Sequence, residues 1–196
     1  MNYFIPLLLF AVSTTFTPGP NNLMIMNSGL HFGIKKSLPH YFGICFGFPA
    51  MVLIVALGLG AIFMQYSWIK QGLKILGSAY MLYLAWQILR SNNKANLAQI
   101  RKPLSFLQAV MFQWVNPKAW LMAISTISIF TLSSNYCYNA AIISIVYLLM
   151  CLPCIGAWLL FGKFLQRILT KDSHRVWFNI LMALSLVASI GMIIFD

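Results

Sequence analysis

Residues 17–22 read Thr-Pro-Gly-Pro-Asn-Asn, and this polar stretch lies deep inside an apolar segment near the N-terminus. Residues 116–118 read Asn-Pro-Lys and interrupt a second apolar segment in the other half of the chain. Backbone groups released by such helix breaks find no partners in lipid, so the breaks persist only where protein buries them or a polar cavity surrounds them. Two breaks in corresponding segments of two halves are typical of the binding site of a secondary transporter.

The composition indicates an all-α polytopic membrane protein. Of the 196 residues, 61% are hydrophobic and 8% are charged, whereas a soluble domain carries about a quarter charged residues. The net charge of +11 lies mostly in short loops between apolar segments, where topology and lipid head groups explain it better than nucleic acid does. The two carboxylates, Asp172 and Asp196, lie outside these segments, so acid–base catalysis is not expected and the chain is not predicted to be an enzyme.

Six apolar segments reach the length of about 20 residues that a helix needs to cross a bilayer. We number them spans one to six, with approximate bounds of 3–28, 38–64, 68–90, 105–131, 137–162 and 176–195. The N-terminus has no basic residues before its apolar run, so span one is expected to be retained rather than cleaved. The chain is predicted to be a single transmembrane transporter domain over 1–196, with half-repeats of about 1–90 and 103–196 and a polar linker at 91–102.

Basic residues predict the orientation of the spans. The first, third and fifth loops hold ten Lys and Arg residues, whereas the second and fourth loops hold two. Because Lys and Arg are enriched in cytoplasmic loops, the odd-numbered loops, including the linker, are predicted to be cytoplasmic. Both termini are then expected on the outer side of the membrane.

The two halves are predicted to be inverted repeats. Each half has three spans, an odd number, so the halves must have opposite topology. Prolines occur in spans one and two (Pro18, Pro20, Pro49) and in spans four and five (Pro117, Pro153), while spans three and six contain none. We interpret this order as broken, broken and intact in each half, as in inverted-repeat transporters. The alternative is coincidence, since membrane helices tolerate proline.

The break in span one has the chemistry of an anion site. Its prolines remove two amide donors, so the helix is predicted to end near Thr17 and to restart near Pro20, at a first helical position that suits proline. The restarted helix presents free amides near Asn21 and Asn22, where its dipole favours a carboxylate. Further donors are the hydroxyls of Thr14, Thr15 and Thr17. The alternative is a structural kink that these Thr and Asn side chains satisfy.

Lys118 is the only charged residue deep in a span. It lies about 12 residues, or ~18 Å of helix, from the cytoplasmic end, close to the middle of a ~30 Å apolar core. A lysine at this depth is expected to face the interior of the bundle and to have a partner. The partner is either the carboxylate of a substrate or, alternatively, the carbonyls of span one, in which case Lys118 braces the two broken helices.

The residues before Lys118 extend the candidate site. Gln113 and Asn116 are three positions apart and can share a helix face with Lys118. Trp114 is expected either to stack beside a ligand or, as is commoner for a buried Trp, to pack in the core. The candidate substrate-binding residues are Thr17, Pro18, Gly19, Pro20, Asn21, Asn22, Gln113, Asn116, Pro117 and Lys118.

Cysteine and glycine spacings give weaker signals. Cys151 and Cys154 match a C-x-x-C pattern in the middle of span five, where we expect two packing residues, because buried apolar thiols are generally inert; a redox or metal site is the alternative. The pairs Gly29/Gly33 and Gly43/Gly47 have the spacing of close helix packing in membranes. No catalytic residue, metal ligand or cofactor is expected.

These features together resemble the LysE/RhtB family of bacterial amino-acid exporters over nearly the whole chain. The resemblance rests on residues 17–21, on the two glycine pairs, on residues 77–86 and on residues 106–119. One departure is Ala109, where many members have glycine. The resemblance implies a six-helix transporter of the bacterial inner membrane that uses the proton-motive force. It further implies an amino-acid substrate and a lipid surrounding, and it is compatible with a homodimer.

The expected function is efflux of a small neutral amino acid or derivative by alternating access. A basic substrate would benefit from acids in the pathway, and the spans contain none. One alternative is a membrane thiol-redox conduit, which needs reactive cysteines beside the breaks, although spans one and four contain no cysteine. A metal-ion exporter is the other alternative, and the sequence lacks the clustered soft or acidic ligands that it requires.

Overall fold

The computed structural model describes residues 3–59, 65–90, 102–130, 136–169 and 172–194, and within them it is helical, with no strand. The helices are α1 (Phe4–Phe16), α2 (Pro20–Ile54), α3 (Ser67–Arg90), α4 (Phe106–Val115), α5 (Pro117–Phe130), α6 (Tyr136–Ile168) and α7 (Asp172–Ile194). A short π-helical segment, Val55–Leu59, continues α2. Residues 91–101 of the predicted linker lie outside the described residues.

Two helical stretches are long and apolar enough to cross a membrane by themselves. They are Pro20–Leu59 and Tyr136–Ile168. The described part of the chain also contains four shorter apolar helices. Two of the short helices, α1 and α5, adjoin the breaks in spans one and four, and α4 precedes the second break. Length and composition thus agree with a helical membrane protein.

The chain reverses direction inside α2, at Gly33. Ser28 Oγ and His40 Nδ1 are 2.9 Å apart, although twelve residues of straight helix would separate them by ~18 Å. Gly33 has φ 73° and ψ 178°, a left-handed conformation that favours glycine. The hydroxyl of Ser37 donates to the Gly33 carbonyl at 2.8 Å and satisfies it just beyond the reversal. The loop predicted between residues 28 and 38 is therefore a tight helical hairpin.

Both predicted breaks are confirmed. The first helix ends at Phe16 and the next begins at Pro20, which occupies its first turn. The second break is the single extended residue Asn116 between α4 and Pro117. An extended conformation is what the residue before a proline prefers.

The prediction that spans two and five are also broken was wrong. The helices α2 and α6 continue through Pro49 and Pro153. Pro18 and Pro20 remove two amide donors on either side of a glycine, and Pro117 follows an extended Asn116, whereas the helix stays regular before Pro49 and Pro153. Only spans one and four therefore expose consecutive backbone groups.

Glycines bring the helices into close contact. A Cβ atom on Gly29 would collide with the backbone of Leu159, and one on Gly162 would collide with the backbone of Met26. A Cβ on Gly43 would lie 2.5 Å from the Phe106 carbonyl oxygen and 2.6 Å from the Cβ of Ala109, so α4 packs against the backbone at this glycine. The predicted role in close helix packing is confirmed at Gly29, Gly43 and Gly47. Gly33 instead allows the chain to reverse direction.

Helix α3 supports the second break from outside. A Cβ on Gly77 would lie 2.5 Å from the Val115 carbonyl and 3.0 Å from the Pro117 ring. The glycine at 77 therefore lets α3 approach the backbone at the point where α4 ends and α5 begins. The opposite side of α3 packs against α7, so the third and sixth spans form a layer beside the broken helices.

Candidate functional site

Four helix ends meet in the interior of the bundle. Helices α1 and α4 end there, and α2 and α5 begin there. Side-chain bonds from Lys118 reach Thr17 and Pro18 across the interface between the two broken spans. The structure therefore brings the two proline motifs together.

A cavity of about 30 Å³ lies between the breaks, which is room for two or three water molecules. Its wall comes from both broken spans and from the two long helices α2 and α6. The lining residues are Thr14, Thr15, Gly19, Asn21, Asn22, Ile44, Phe48, Asn116, Lys118, Ala119, Met122, Cys151 and Ile155.

The carbonyl groups released at the end of α1 are paired with side chains. Trp158 Nε1 donates to the Phe16 carbonyl at 3.2 Å, and the Thr17 hydroxyl donates to the Thr14 carbonyl at 2.9 Å. Asn22 Nδ2 donates to the carbonyls of Thr15 and Thr17, at 2.8 Å each. The alternative in which Thr and Asn side chains form hydrogen bonds with the backbone groups of the kink is thus correct for the carbonyl groups.

Lys118 completes this set of hydrogen bonds. Its Nζ donates to the Thr17 carbonyl at 2.7 Å, to Thr17 Oγ1 at 2.9 Å and to the Pro18 carbonyl at 3.2 Å. An ammonium group has three donors, so all of them are engaged by span one. A cation at a helix C-terminus is also favoured by the helix dipole. The sequence left two partners open for Lys118, a substrate carboxylate or the carbonyls of span one. The geometry corresponds to the second, in which Lys118 braces the two broken helices.

Gly19 is the contact point for the Lys118 side chain. A Cβ atom at position 19 would lie 2.7 Å from Cδ of Lys118 and 3.0 Å from its Nζ. Its backbone is extended, with φ −178°, a conformation that any residue can adopt. Glycine is therefore needed at this position because a side chain would collide with Lys118, and not because of the backbone conformation. The lysine reaches the α1 carbonyls only because residue 19 has no side chain.

The amide groups at the start of α2 remain open. This helix begins without a side-chain cap, and Pro20 has no amide proton. The first backbone bond of the helix is from Leu23 N to the Gly19 carbonyl at 2.9 Å. Within the described residues the amides of Asn21 and Asn22 have no hydrogen-bond acceptor. They are oriented donors at the positive end of a helix, beside the cavity.

The start of α5 is different, because Asn116 caps it. Asn116 Oδ1 accepts a hydrogen bond from the Lys118 amide at 3.2 Å, and its carbonyl accepts from Ala119 N at 3.0 Å. A capping asparagine satisfies the amides that an anion would otherwise use. Of the two helix N-termini at the cavity, the one in span one is therefore available to an anion.

A reciprocal amide pair joins the broken spans on one side of the cavity. Asn21 Nδ2 donates to Gln113 Oε1 at 2.8 Å, and Gln113 Nε2 donates to Asn21 Oδ1 at 3.3 Å. Gln113 is fully buried and also donates to the Ala109 carbonyl at 2.9 Å. The pair ties α4 to the first turn of α2.

Three hydroxyl groups form a cluster that extends from the cavity at Thr14 to α5 and α6. Tyr147 is fully buried, and its hydroxyl lies 2.7 Å from Thr126 Oγ1 and 3.3 Å from Thr14 Oγ1. The two threonines also donate to carbonyls of their own helices. The Tyr147 ring packs edge-on against Phe48 at 5.0 Å between centroids, so this cluster joins four helices.

The predicted site residues divide into two groups. Gly19, Asn21, Asn22, Asn116 and Lys118 line the cavity. The other five support it: Thr17 and Pro18 accept from Lys118, Gln113 pairs with Asn21, and Pro20 and Pro117 start the two helices.

Trp114 does not line the cavity but packs against a neighbouring ring, which is the commoner of the two outcomes expected for a buried Trp. Its ring lies against Trp120 at 5.9 Å between centroids, and Trp120 Nε1 donates to the Trp114 carbonyl at 2.9 Å. That bond satisfies a carbonyl released at the end of α4. Trp114 therefore belongs to the structural support of the second break.

Sequence reasoning missed the side of the cavity that the unbroken helices provide. Ile44 and Phe48 come from α2, and Cys151 and Ile155 come from α6. Their sequence context is ordinary apolar helix, so no local signal marks them. Their position four residues apart on each helix places each pair on one face, and only the packing of α2 on α6 shows that these faces meet at the breaks.

Comparisons with known proteins place the chain in a family. Residues 12–195 match the family model described as LysE type translocator. The cysteine/O-acetylserine efflux protein of Escherichia coli (strain K12) is 30% identical over 91% of this chain and 90% of its own length. Proteins of the same name from Klebsiella pneumoniae and Shigella flexneri are each 31% identical, over 82% and 91% of this chain and 82% and 90% of their own lengths.

No solved structure matches the chain significantly. The family match spans both breaks and all of the cavity-lining residues. The relatives likewise cover most of the chain and most of their own length. The chain belongs to the LysE type translocator family.

Proposed function

We propose that the chain exports a small neutral amino acid or derivative across the bacterial inner membrane. Cysteine and O-acetylserine are the first candidates, because they are the substrates in the names of its relatives. The resemblance in residues 17–22 and 103–116 also favours that branch of the family. The observation that carries the proposal is the pair of open amides at Asn21 and Asn22 beside the cavity.

The substrate carboxylate is proposed to bind these amides. Backbone N–H groups at a helix N-terminus bind anions well, and the carbonyls that would repel a carboxylate are already paired with Lys118, Asn22 and Trp158. Lys118 contributes its positive charge from the opposite side of Gly19. In this proposal the lysine braces span one and strengthens the anion site electrostatically, without giving up its three hydrogen bonds.

The cavity volume supports a cycle of alternating access. Space for two or three waters is less than an amino acid needs, so the cavity has to widen when the substrate binds. We assign the cytoplasmic closure to the Asn21–Gln113 pair and the outer closure to the Tyr147 hydroxyl cluster. Opening one set of bonds while the other persists would expose the site to one side at a time.

The proposed topology is six spans in two inverted halves, with both termini outside. The hairpin at Gly33 supports it, because it divides α2 into the end of span one and the first part of span two. The corresponding positions of the breaks support the repeat. The proton-motive force is the proposed energy source. The partners are the amino-acid substrate, the lipid bilayer and a second copy of the chain.

The direct test is transport by the purified protein. Proteoliposomes should take up labelled serine, cysteine or O-acetylserine by exchange against internal unlabelled substrate, and an imposed pH gradient should drive net movement. Liposomes without protein are the control. Absence of exchange for every neutral amino acid would contradict the proposal. A thiol-redox conduit and a metal-ion exporter remain the alternatives, and no observation on the described residues favours either one.

A further inference from the structure

The polar groups of the cavity all come from the two broken spans, whereas its apolar lining comes from α2 beyond Gly33, from α6 and, at Ala119 and Met122, from α5. All of the lining side chains with an oxygen or nitrogen atom belong to the broken spans, at Thr14, Thr15, Asn21, Asn22, Asn116 and Lys118. The unbroken helices α2 and α6 contribute Ile44, Phe48, Cys151 and Ile155. The cavity therefore has a polar wall for a charged head group and an apolar wall that faces it.

Thr15 and Cys151 lie where these two walls meet. Thr15 is 5% exposed, and its hydroxyl has no hydrogen-bond partner of good geometry in the described residues. The Cys151 thiol lies close to this hydroxyl and is 1% exposed. A buried hydroxyl without a good partner is costly, so this position is suited to a ligand atom that can form the missing hydrogen bond.

The apolar wall around this position is tightly packed. Ile44, Phe48 and Ile155 are each at most 3% exposed, and Phe48 is held edge-on by Tyr147. Close-packed side chains of this kind do not move aside without cost. A branched or aromatic substrate side chain would have to displace them, whereas a side chain of two or three atoms would not.

We propose that Thr15 and Cys151 form the subsite for the substrate's side chain and thereby select the substrate. With the carboxylate at the amides of Asn21 and Asn22, the side chain points to the apolar wall. The substrate class is an α-amino acid with a short side chain that carries one hydrogen-bonding atom, such as a hydroxyl or a thiol, which favours cysteine over the longer O-acetylserine as the substrate. This inference rests on the proposed amino-acid export and deepens it by assigning the selectivity.

The experiment compares export of serine, alanine and leucine by cells that overproduce each variant. Thr15→Val keeps the shape of the side chain and removes its hydroxyl, so the preference for serine over alanine should fall by about tenfold, the factor that one neutral hydrogen bond provides. Thr15→Ser retains the hydroxyl and should keep the preference. Cys151→Ala enlarges the subsite and should raise leucine export relative to serine by about tenfold, since one or two methylene groups are discriminated by that factor.

Cys154→Ala is the matched control, because Cys154 is buried on the same helix but does not line the cavity. Its substrate preference should equal that of the unmodified chain. Unchanged preferences in both Thr15→Val and Cys151→Ala, with normal export of serine, would overturn the subsite and leave amino-acid export standing. Failure of the unmodified chain to export any amino acid would instead contradict the proposed function, and the subsite with it.

Discussion

Nζ of Lys118 donates a hydrogen bond of 2.7 Å to the carbonyl oxygen of Thr17, 101 residues away in the sequence. Lys118 is the second residue of α5, just after the break in span four, and Thr17 is the C-cap residue of α1, just before the break in span one. The bond explains how a lysine is accommodated in the interior of a bundle whose spans contain no acid: the negative end of α1 takes the place of a carboxylate. The two breaks therefore stabilise each other.

Lys118→Ala is expected to abolish export and to destabilise the protein even without substrate. The substitution removes three hydrogen bonds from an ammonium group, although the Thr17 carbonyl keeps its bond from Asn22, and the expected cost is about 1–3 kcal/mol in total. The measurement is thermal unfolding of the purified variant in detergent, together with export from cells. Unchanged stability with lost export would favour direct contact with the substrate over bracing, and unchanged export would remove Lys118 from the mechanism.

Gly19→Ala should reduce export severely, because the added Cβ would lie 2.7 Å from Cδ of Lys118. The lysine must then move away from the α1 carbonyls, and the shape of the anion site changes with it. Gly72→Ala is the control, since a Cβ there has nothing within 4 Å. Export rates at equal amounts of membrane-inserted protein provide the comparison. Equal rates for Gly19→Ala and the unmodified chain would contradict the close contact.

Asn21 and Gln113 are expected to be energetically coupled. In a double-mutant cycle with alanine at both positions, the coupling free energy should be about 0.6–1.7 kcal/mol, the range found for hydrogen bonds between membrane helices. Chemical unfolding of the purified variants measures it. As the control, Asn21→Ala should be additive with Ser144→Ala, which removes a separate hydrogen bond to Pro49. Additivity of Asn21 with Gln113 as well would exclude the pair as a closure of the cavity.

Much of the fold could be predicted from the sequence, because its strongest signals are local. Hydrophobic length marks the spans, and the consecutive breakers at 18–20 and the Asn-Pro pair at 116–117 mark the breaks. The prolines at 49 and 153 misled the prediction because a single proline does not reveal whether neighbouring helices tolerate it. Gly33 has the same spacing as a packing glycine, and only its positive φ distinguishes a reversal.

The site could be predicted for its polar half alone. Asn21, Asn22 and Lys118 are conspicuous because polar groups are rare in membrane spans. Two other features depend on three-dimensional arrangement: the saturation of all three Lys118 donors by span one, and the apolar wall from α2 and α6. Ile44 and Cys151 are ordinary residues of apolar helices, so their role follows from where the helices pack and not from their identity.

Replacement of Cys151 and Cys154 together by alanine should leave export of the natural substrate intact. Both cysteines are buried free thiols, and the proposed transport requires no electron transfer from them. The enlarged subsite in this variant should widen the range of substrates without preventing export of small ones. Efflux of serine from cells that produce equal amounts of the double variant and the unmodified chain is the measurement. Loss of serine export from well-inserted double variant, when Cys151→Ala alone still exports serine, would instead support the thiol-redox alternative.

Cys137 offers a natural probe of the proposed orientation. It is exposed at the start of α6, whereas Cys45, Cys151 and Cys154 are buried. If both termini lie outside, the start of α6 also faces outward, so a membrane-impermeant thiol reagent should label intact spheroplasts. Cys137→Ser should abolish this labelling. Adding Lys36→Cys to that variant places a thiol on an exposed residue of the predicted cytoplasmic hairpin, which should react only after the membrane is permeabilised. The opposite pattern would invert the topology and, with it, the assignment of the Asn21–Gln113 pair to the cytoplasmic side.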